Sequence, residues 1–265
     1  GMKKLAVVLF LAFSVLKANA SSQWMWHGAF PWVYSHAENS WWYMKAGTDG
    51  KFLAWKQSDG EWYKFDEAFK NWMPVSGSAS DYIDAGNSYK DKALYDQALD
   101  SYQKALSIAL GQYGENHAAT ASSYMGIGIV YYDKGEYDLA LANHEKSLEI
   151  KLKVLGGDHP SVATSYNNIG RSYRNKGEYD LALANHEKSL EIRLKVLGGE
   201  HATTASSYNN IGIVYDDKGE YDLALANYEK SLEIKLKVYG GDHSDVAIIY
   251  NNIGLVYSNK GEYDL

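Results

Sequence analysis

The chain has 265 residues, 46% hydrophobic and 22% charged, with a formal net charge of −7. That balance belongs to a folded polypeptide rather than a disordered one, and the acidic excess argues against a nucleic-acid-binding surface. Cysteine is absent, which excludes disulfide-dense folds and a cysteine nucleophile.

Residues 1–20 have the layout of a secretory signal peptide. Lys3 and Lys4 precede the apolar run LAVVLFLAFSVL, and KANA places Ala18 and Ala20 in small-x-small positions. The run is too short to span a bilayer as a helix. The expectation is an exported chain, periplasmic or secreted, with no stable membrane span after cleavage.

Residues 21–73 form a separate segment. All eight tryptophans lie between Trp24 and Trp72, and beyond that point tyrosine carries the aromatic load. PWVYS, SWWYMKA, KFLAWK and EWYKF alternate with HAEN, GTDG and QSDG, and the Asp49-Gly50 and Asp59-Gly60 pairs are hairpin-turn signals. A small antiparallel meander over about residues 30–66 is predicted, with a short helical tail at DEAFKNW. The stretch AWKQSDGEWYKF resembles the tryptophan-rich repeats of choline- and glucan-binding cell-wall modules. That likeness implies a cell-wall glycan as an alternative partner, whereas a sheet core is the simpler use of the same aromatics. PVSGSAS makes residues 74–78 a linker.

From residue 79 the chain is periodic. Glycines 86, 128, 170, 212 and 254 recur every 42 residues, and around Gly170 the residues Tyr166, Ile169 and Tyr173 form one helical stripe. NKGEY follows as a turn, and Tyr179, Ala182, His186 and Ser189 then ride a second helix. Units of this kind bury their apolar faces only against neighbours, which predicts a mainly α solenoid. Repeats are expected at 79–120, 121–162, 163–204 and 205–246, with a partial one at 247–265. The partial repeat stops at GEYDL, where every earlier copy starts its second helix, so a natural chain continuing beyond Leu265 is expected.

Tyr-x2-Ile-Gly-x2-Tyr followed by Tyr, Ala and a ring resembles tetratricopeptide repeats. The linking stretch VLGGDHPSVATSYNNIG is similar to the 42-residue variety found in kinesin light chains and many bacterial scaffolds. The resemblance covers about residues 79–265 and is loosest in the first repeat. It implies a right-handed superhelix whose first helices line a concave groove for a peptide or partner protein.

The candidate chemical sites reduce to structure. His117, His159, His201 and His243 stand one repeat apart, each before a helix start, and read as loop and cap residues. His144 and His186 take positions held by Tyr102 and Tyr228, which indicates interhelical packing. The acids of EYD (Glu136/Asp138, Glu178/Asp180, Glu220/Asp222) open second helices and read as capping groups. Glu149/Lys153, Glu191/Lys195 and Glu233/Lys237 are surface i,i+4 pairs. Gly-Gly at 156–157, 198–199 and 240–241 ends helices. No catalytic constellation, cofactor motif or metal-ligand cluster emerges, and a non-enzymatic scaffold is expected.

What packing does not use is the opposite face of the first helices. Asn167, Asn168, Arg171 and Arg174 lie there, as do Asn209, Asn210, Asn251 and Asn252. An asparagine amide both donates and accepts, so it can hold the backbone of an extended peptide. Asn168, Asn210 and Asn252 are expected to stack as a ladder, and the family's peptide-binding asparagines map onto them. Arg171 and Arg174 oppose Asp216 and Asp217 one repeat on, and serve either for pairing across repeats or for clamping a partner's carboxylate.

Overall fold

The computed structural model describes six strands between Trp24 and Pro74 at the level of backbone pairing, and residues 77–261 throughout. The expected export signal, both Asp-Gly turn pairs and residues 262–265 lie outside the described residues. The chain divides into two compact units, Gly1–Tyr82 and Ile83–Leu265.

In the first unit, β1 (Trp24–Trp26), β2 (Trp32–Ser35), β3 (Ser40–Ala46), β4 (Phe52–Lys56), β5 (Glu61–Asp66) and β6 (Asn71–Pro74) form one sheet. Strand order follows chain order and every pair is antiparallel, with Tyr34 opposite Trp41 and Trp55 opposite Trp62. Strands β2 to β5 run as a meander, and β1 and β6 add one strand at each end. The helical tail expected at DEAFKNW is overturned at Asn71 and Trp72, which lie in β6 with Phe65 opposite Trp72. An unpaired β5 edge offers backbone partners to such a segment, and tryptophan is at home in a strand.

The helices begin with α1 (Ala79–Asp91) and α2 (Tyr95–Tyr113), followed by α3 (Ala118–Asp133), α4 (Tyr137–Leu155), α5 (Pro160–Asn175) and α6 (Tyr179–Leu197). Then come α7 (Ala202–Asp217), α8 (Tyr221–Tyr239) and α9 (Ser244–Lys260). Odd-numbered helices are the first of each repeat and even-numbered ones the second. From α2 onward consecutive helices pack on one another, and Tyr102 of α2 reaches Asn87 of α1, giving an α-solenoid of four helix pairs followed by α9.

Local chemistry sets the boundaries. At α1 a capping box operates, with Ser78 Oγ accepting from Asp81 N (3.2 Å) and Asp81 Oδ2 accepting from Ser78 N (2.8 Å). From α3 onward the first helices are capped by histidine. The Nδ1 of His117, His159, His201 and His243 accepts from the N–H two residues on, at 3.1, 3.1, 3.2 and 3.1 Å. Within each pair the turn uses a glycine at positive φ (Gly135 +79°, Gly177 +78°, Gly219 +77°), and Ala93 adopts that conformation in the first repeat at +57°. The Gly-Gly stretches end the second helices as expected, with Gly156, Gly198 and Gly240 each donating back to a leucine carbonyl.

The acids of EYD behave differently from the sequence expectation. Glu136, Glu178 and Glu220 occupy the cap position with no side-chain cap bond, because ψ near 65° lies outside the extended region that capping uses. Asp138, Asp180 and Asp222 stand in the first turn, where they suit the helix dipole, and pair with Lys176, Lys218 and Lys260 in the turn of the next repeat, at 2.8, 2.8 and 3.0 Å. Of the three surface pairs, Glu149–Lys153 (2.6 Å) and Glu233–Lys237 (3.1 Å) form, while Lys195 turns to Asp158 (2.5 Å).

The core repeats as the sequence does. Val130, Val214 and Val256 stand at equivalent positions and are fully buried, each worth about 1.5–3 kcal/mol of burial. In the four full repeats the socket opposite the first-helix glycine holds the recurring ring. A Cβ at Gly86 would stand 2.6 Å from the Tyr102 ring, at Gly128 2.5 Å from His144, at Gly170 2.9 Å from His186 and at Gly212 2.8 Å from Tyr228. Glycine is required there because ring and helix backbone share the space a methyl would take.

Candidate functional site

The polar faces of α3, α5, α7 and α9 meet side by side, and their side chains interlock at a constant offset of 43 residues. Asn168 Nδ2 donates to Met125 Sδ (3.1 Å), Asn210 Nδ2 to Asn167 Oδ1 (2.7 Å) and Asn252 Nδ2 to Asn209 Oδ1 (3.1 Å). The expected ladder of Asn168, Asn210 and Asn252 is therefore built from staggered pairs rather than stacked equivalents. Each Asn–Asn rung uses one amide hydrogen and one carbonyl lone pair. The carbonyl of Asn210 and the amide nitrogen of Asn167 retain capacity for a further bond. Asn251 is exposed on α9.

The two arginines separate in role. Arg174 is half-buried and gives Nε to Asp217 Oδ2 (2.5 Å) and Nη2 to Oδ1 (3.4 Å), a forked pair at the same 43-residue offset. That bond commits Arg174 to the pairing role. Arg171 is exposed, with its guanidinium 4.4 Å from the centroid of the Tyr132 ring. Asn175 Nδ2 donates to the Tyr132 hydroxyl (3.0 Å) and Asn259 Nδ2 to Asp216 Oδ1 (3.4 Å), continuing the register. Burial raises the Asp216 carboxyl above its ordinary value.

Where α3 meets α5, a cleft with a volume of about 10 Å³ is lined by Ile129, Tyr132, His144, Asn168 and Arg171, room for a single water. Among the described residues no cluster of three or more metal-ligating side chains occurs, and no helix is long and apolar enough to cross a membrane.

One row escaped sequence reasoning. Lys151, Arg193 and Lys235 occupy equivalent positions on α4, α6 and α8, next to exposed glutamates that drew attention away from them. Lys151 Nζ reaches Ser165 Oγ (3.1 Å), and burial pushes its amine down to about 8. Arg193 bonds Thr203 O (2.9 Å) and Ser207 Oγ (2.8 Å), whereas Lys235 pairs with the Asp245 carboxylate. Their 42-residue recurrence on the helix side that meets the next repeat was the available signal.

Comparison with known proteins agrees with this architecture. A tetratricopeptide repeat model matches residues 82–153, 124–193, 161–237 and 217–265. No curated protein matches the chain. Among solved structures, BtubC (BKLC) from P. vanneervenii is similar over 69% of this chain and 73% of its own, at 22% identity and a TM-score of 0.62. A putative kinesin light chain of Podosopora anserina with nearly identical TPR-like repeats is similar over 69% of this chain and 87% of its own, at 20% identity and a TM-score of 0.60. The apo form of RapI is similar over 70% of this chain and 50% of its own, at 23% identity and a TM-score of 0.58. At these identities the likeness is one of fold. The matched segments together run over more than half of the sequence, and the chain belongs to the tetratricopeptide repeat family.

Proposed function

We propose that the protein is an exported, non-enzymatic scaffold that holds an extended peptide along the polar faces of its first helices. The observation that carries this reading is the row of paired asparagines. Its rungs offer a donor and an acceptor to an unpaired backbone without asking for a particular side chain. Packed helices lie about 8–10 Å apart and an extended chain advances about 3.3 Å per residue. Each rung therefore meets the peptide about every third residue. Arg171, with no carboxylate bond among the described residues, adds one cationic position to the row. Export rests on the leader-like first twenty residues.

The test is binding of a panel of extended peptides to the protein and to the N168A/N210A/N252A variant. Loss of more than tenfold in affinity with an unchanged helical circular dichroism spectrum supports the reading. Equal affinity in the two proteins rejects it. Because the substitutions also remove bonds between repeats, each net worth about 0.5–1.5 kcal/mol, a thermal melt accompanies the measurement.

A further inference from the structure

The four ring sockets are filled in two ways. Tyr102 and Tyr228 fill those of the first and fourth repeats, and the Tyr102 hydroxyl donates to Asn87 Oδ1 at 2.7 Å. His144 and His186 fill the second and third, each 1% exposed. Among the described residues, the buried polar side-chain atoms without a hydrogen-bond partner are His144 Nδ1, His186 Nδ1 and Nε2, and Ser189 Oγ. All of them lie on α4 and α6. Ser189 also lacks the bond made by its equivalents, since Ser147 Oγ donates to Ala121 O and Ser231 Oγ to Ala205 O, both at 2.8 Å.

The charges around the imidazoles are cationic. Arg171 of α5 and Lys151 of its own helix act on His144, whose cleft neighbours are the neutral Tyr132 of α3 and Asn168 of α5. Arg171 and Arg174 of α5 and Arg193 of its own helix act on His186, and the Asp217 carboxylate of α7 is already held by Arg174. Among the described residues the charges that act on either ring are these cations, and Asp133 of α3 interacts with Arg171 rather than with an imidazole.

We infer that the second and third repeats form an acid-labile joint. His144 and His186 seal their sockets when neutral and are expelled when protonated, so that α4 parts from α3 and α6 from α5 while the tyrosine-filled repeats stay closed. Burial, reinforced by the neighbouring cations, holds both imidazoles down at about 4, against an ordinary value near 6.5. A depressed folded-state value means that stability is complete above about pH 6.5 and is surrendered as pH falls from there toward 4. The inference does not depend on what the asparagine row binds.

Thermal melts of the wild type and of H144Y/H186Y at pH 7 and pH 5 test it. The wild-type midpoint should fall by about 5–10 °C more than that of the variant. The four helix-capping histidines are present in both proteins and cancel in the comparison. Should the tyrosines fail to fit, H144Q/H186Q supplies non-titrating side chains, and its midpoint should show the same reduced pH dependence from a lower baseline. In the reverse exchange, Y228H should add acid sensitivity. Equal pH dependence in the wild type and the non-titrating variant would overturn the inference.

Discussion

The outer repeats, one and four, and the central repeats, two and three, share a backbone plan and differ in what they leave unsatisfied. In the outer pair a tyrosine fills the glycine socket, with burial and nearby Asp91 and Asp133 raising the Tyr102 hydroxyl to about 12. In the central pair a histidine fills it with nitrogens unpartnered. The buried cation row divides along similar lines. Lys235 of repeat four has a carboxylate, while Lys151 and Arg193 of repeats two and three have only hydroxyl and carbonyl partners. A repeat array can thus hold one geometry throughout while its local stability varies, because each interface is set by a few side chains and is felt only by its neighbours.

The largest perturbation should come from closing a socket. Gly212→Ala would put a methyl 2.8 Å from the Tyr228 ring and 3.2 Å from the Ala224 carbonyl oxygen, and should cost about 1–3 kcal/mol in a denaturant melt. Gly254 is the equivalent position on α9, with nothing within 4 Å. Gly254→Ala should instead be neutral or stabilise by up to about 1 kcal/mol through helix propensity. Similar effects at both sites would contradict the socket role.

Smaller effects should follow from the cations. Lys151→Met removes a buried amine without a carboxylate and should raise stability at pH 7 by about 1 kcal/mol. Lys235→Met breaks an ion pair and should lower it by about the same amount. Because burial depresses the Lys151 amine to about 8, wild-type stability should rise as pH climbs from about 8 toward the unfolded value near 10.4. That rise should be smaller in Lys151→Met.

Much of this architecture is legible in the sequence. The 42-residue step of the glycines and rings gives the helix pairs and their sockets, and a histidine before each first helix from α3 onward gives the cap. The contacts between neighbouring first helices were not legible in the same way. Periodicity identifies equivalent residues but says nothing of the stagger between neighbouring helices, and that stagger turns a 42-residue repeat into 43-residue contacts. Asn210 therefore meets Asn167 rather than Asn168, and Arg174 meets Asp217. The acids of EYD misled for a related reason. Their pattern matches a helix start, yet the partner that claims the aspartates is a lysine in the next repeat, remote in sequence. In the aromatic segment, DEAFKNW read as helical from its local pattern, while pairing with β5 draws its end into the sheet.

Amide hydrogen exchange resolved by helix, with protection factors compared at pH 7 and pH 5, tests the contrast between the two kinds of repeat most directly. The account predicts that α3 to α6 lose protection on acidification while α2, α7 and α8 retain it. A uniform loss, or one that starts in the tyrosine-filled repeats, would contradict it.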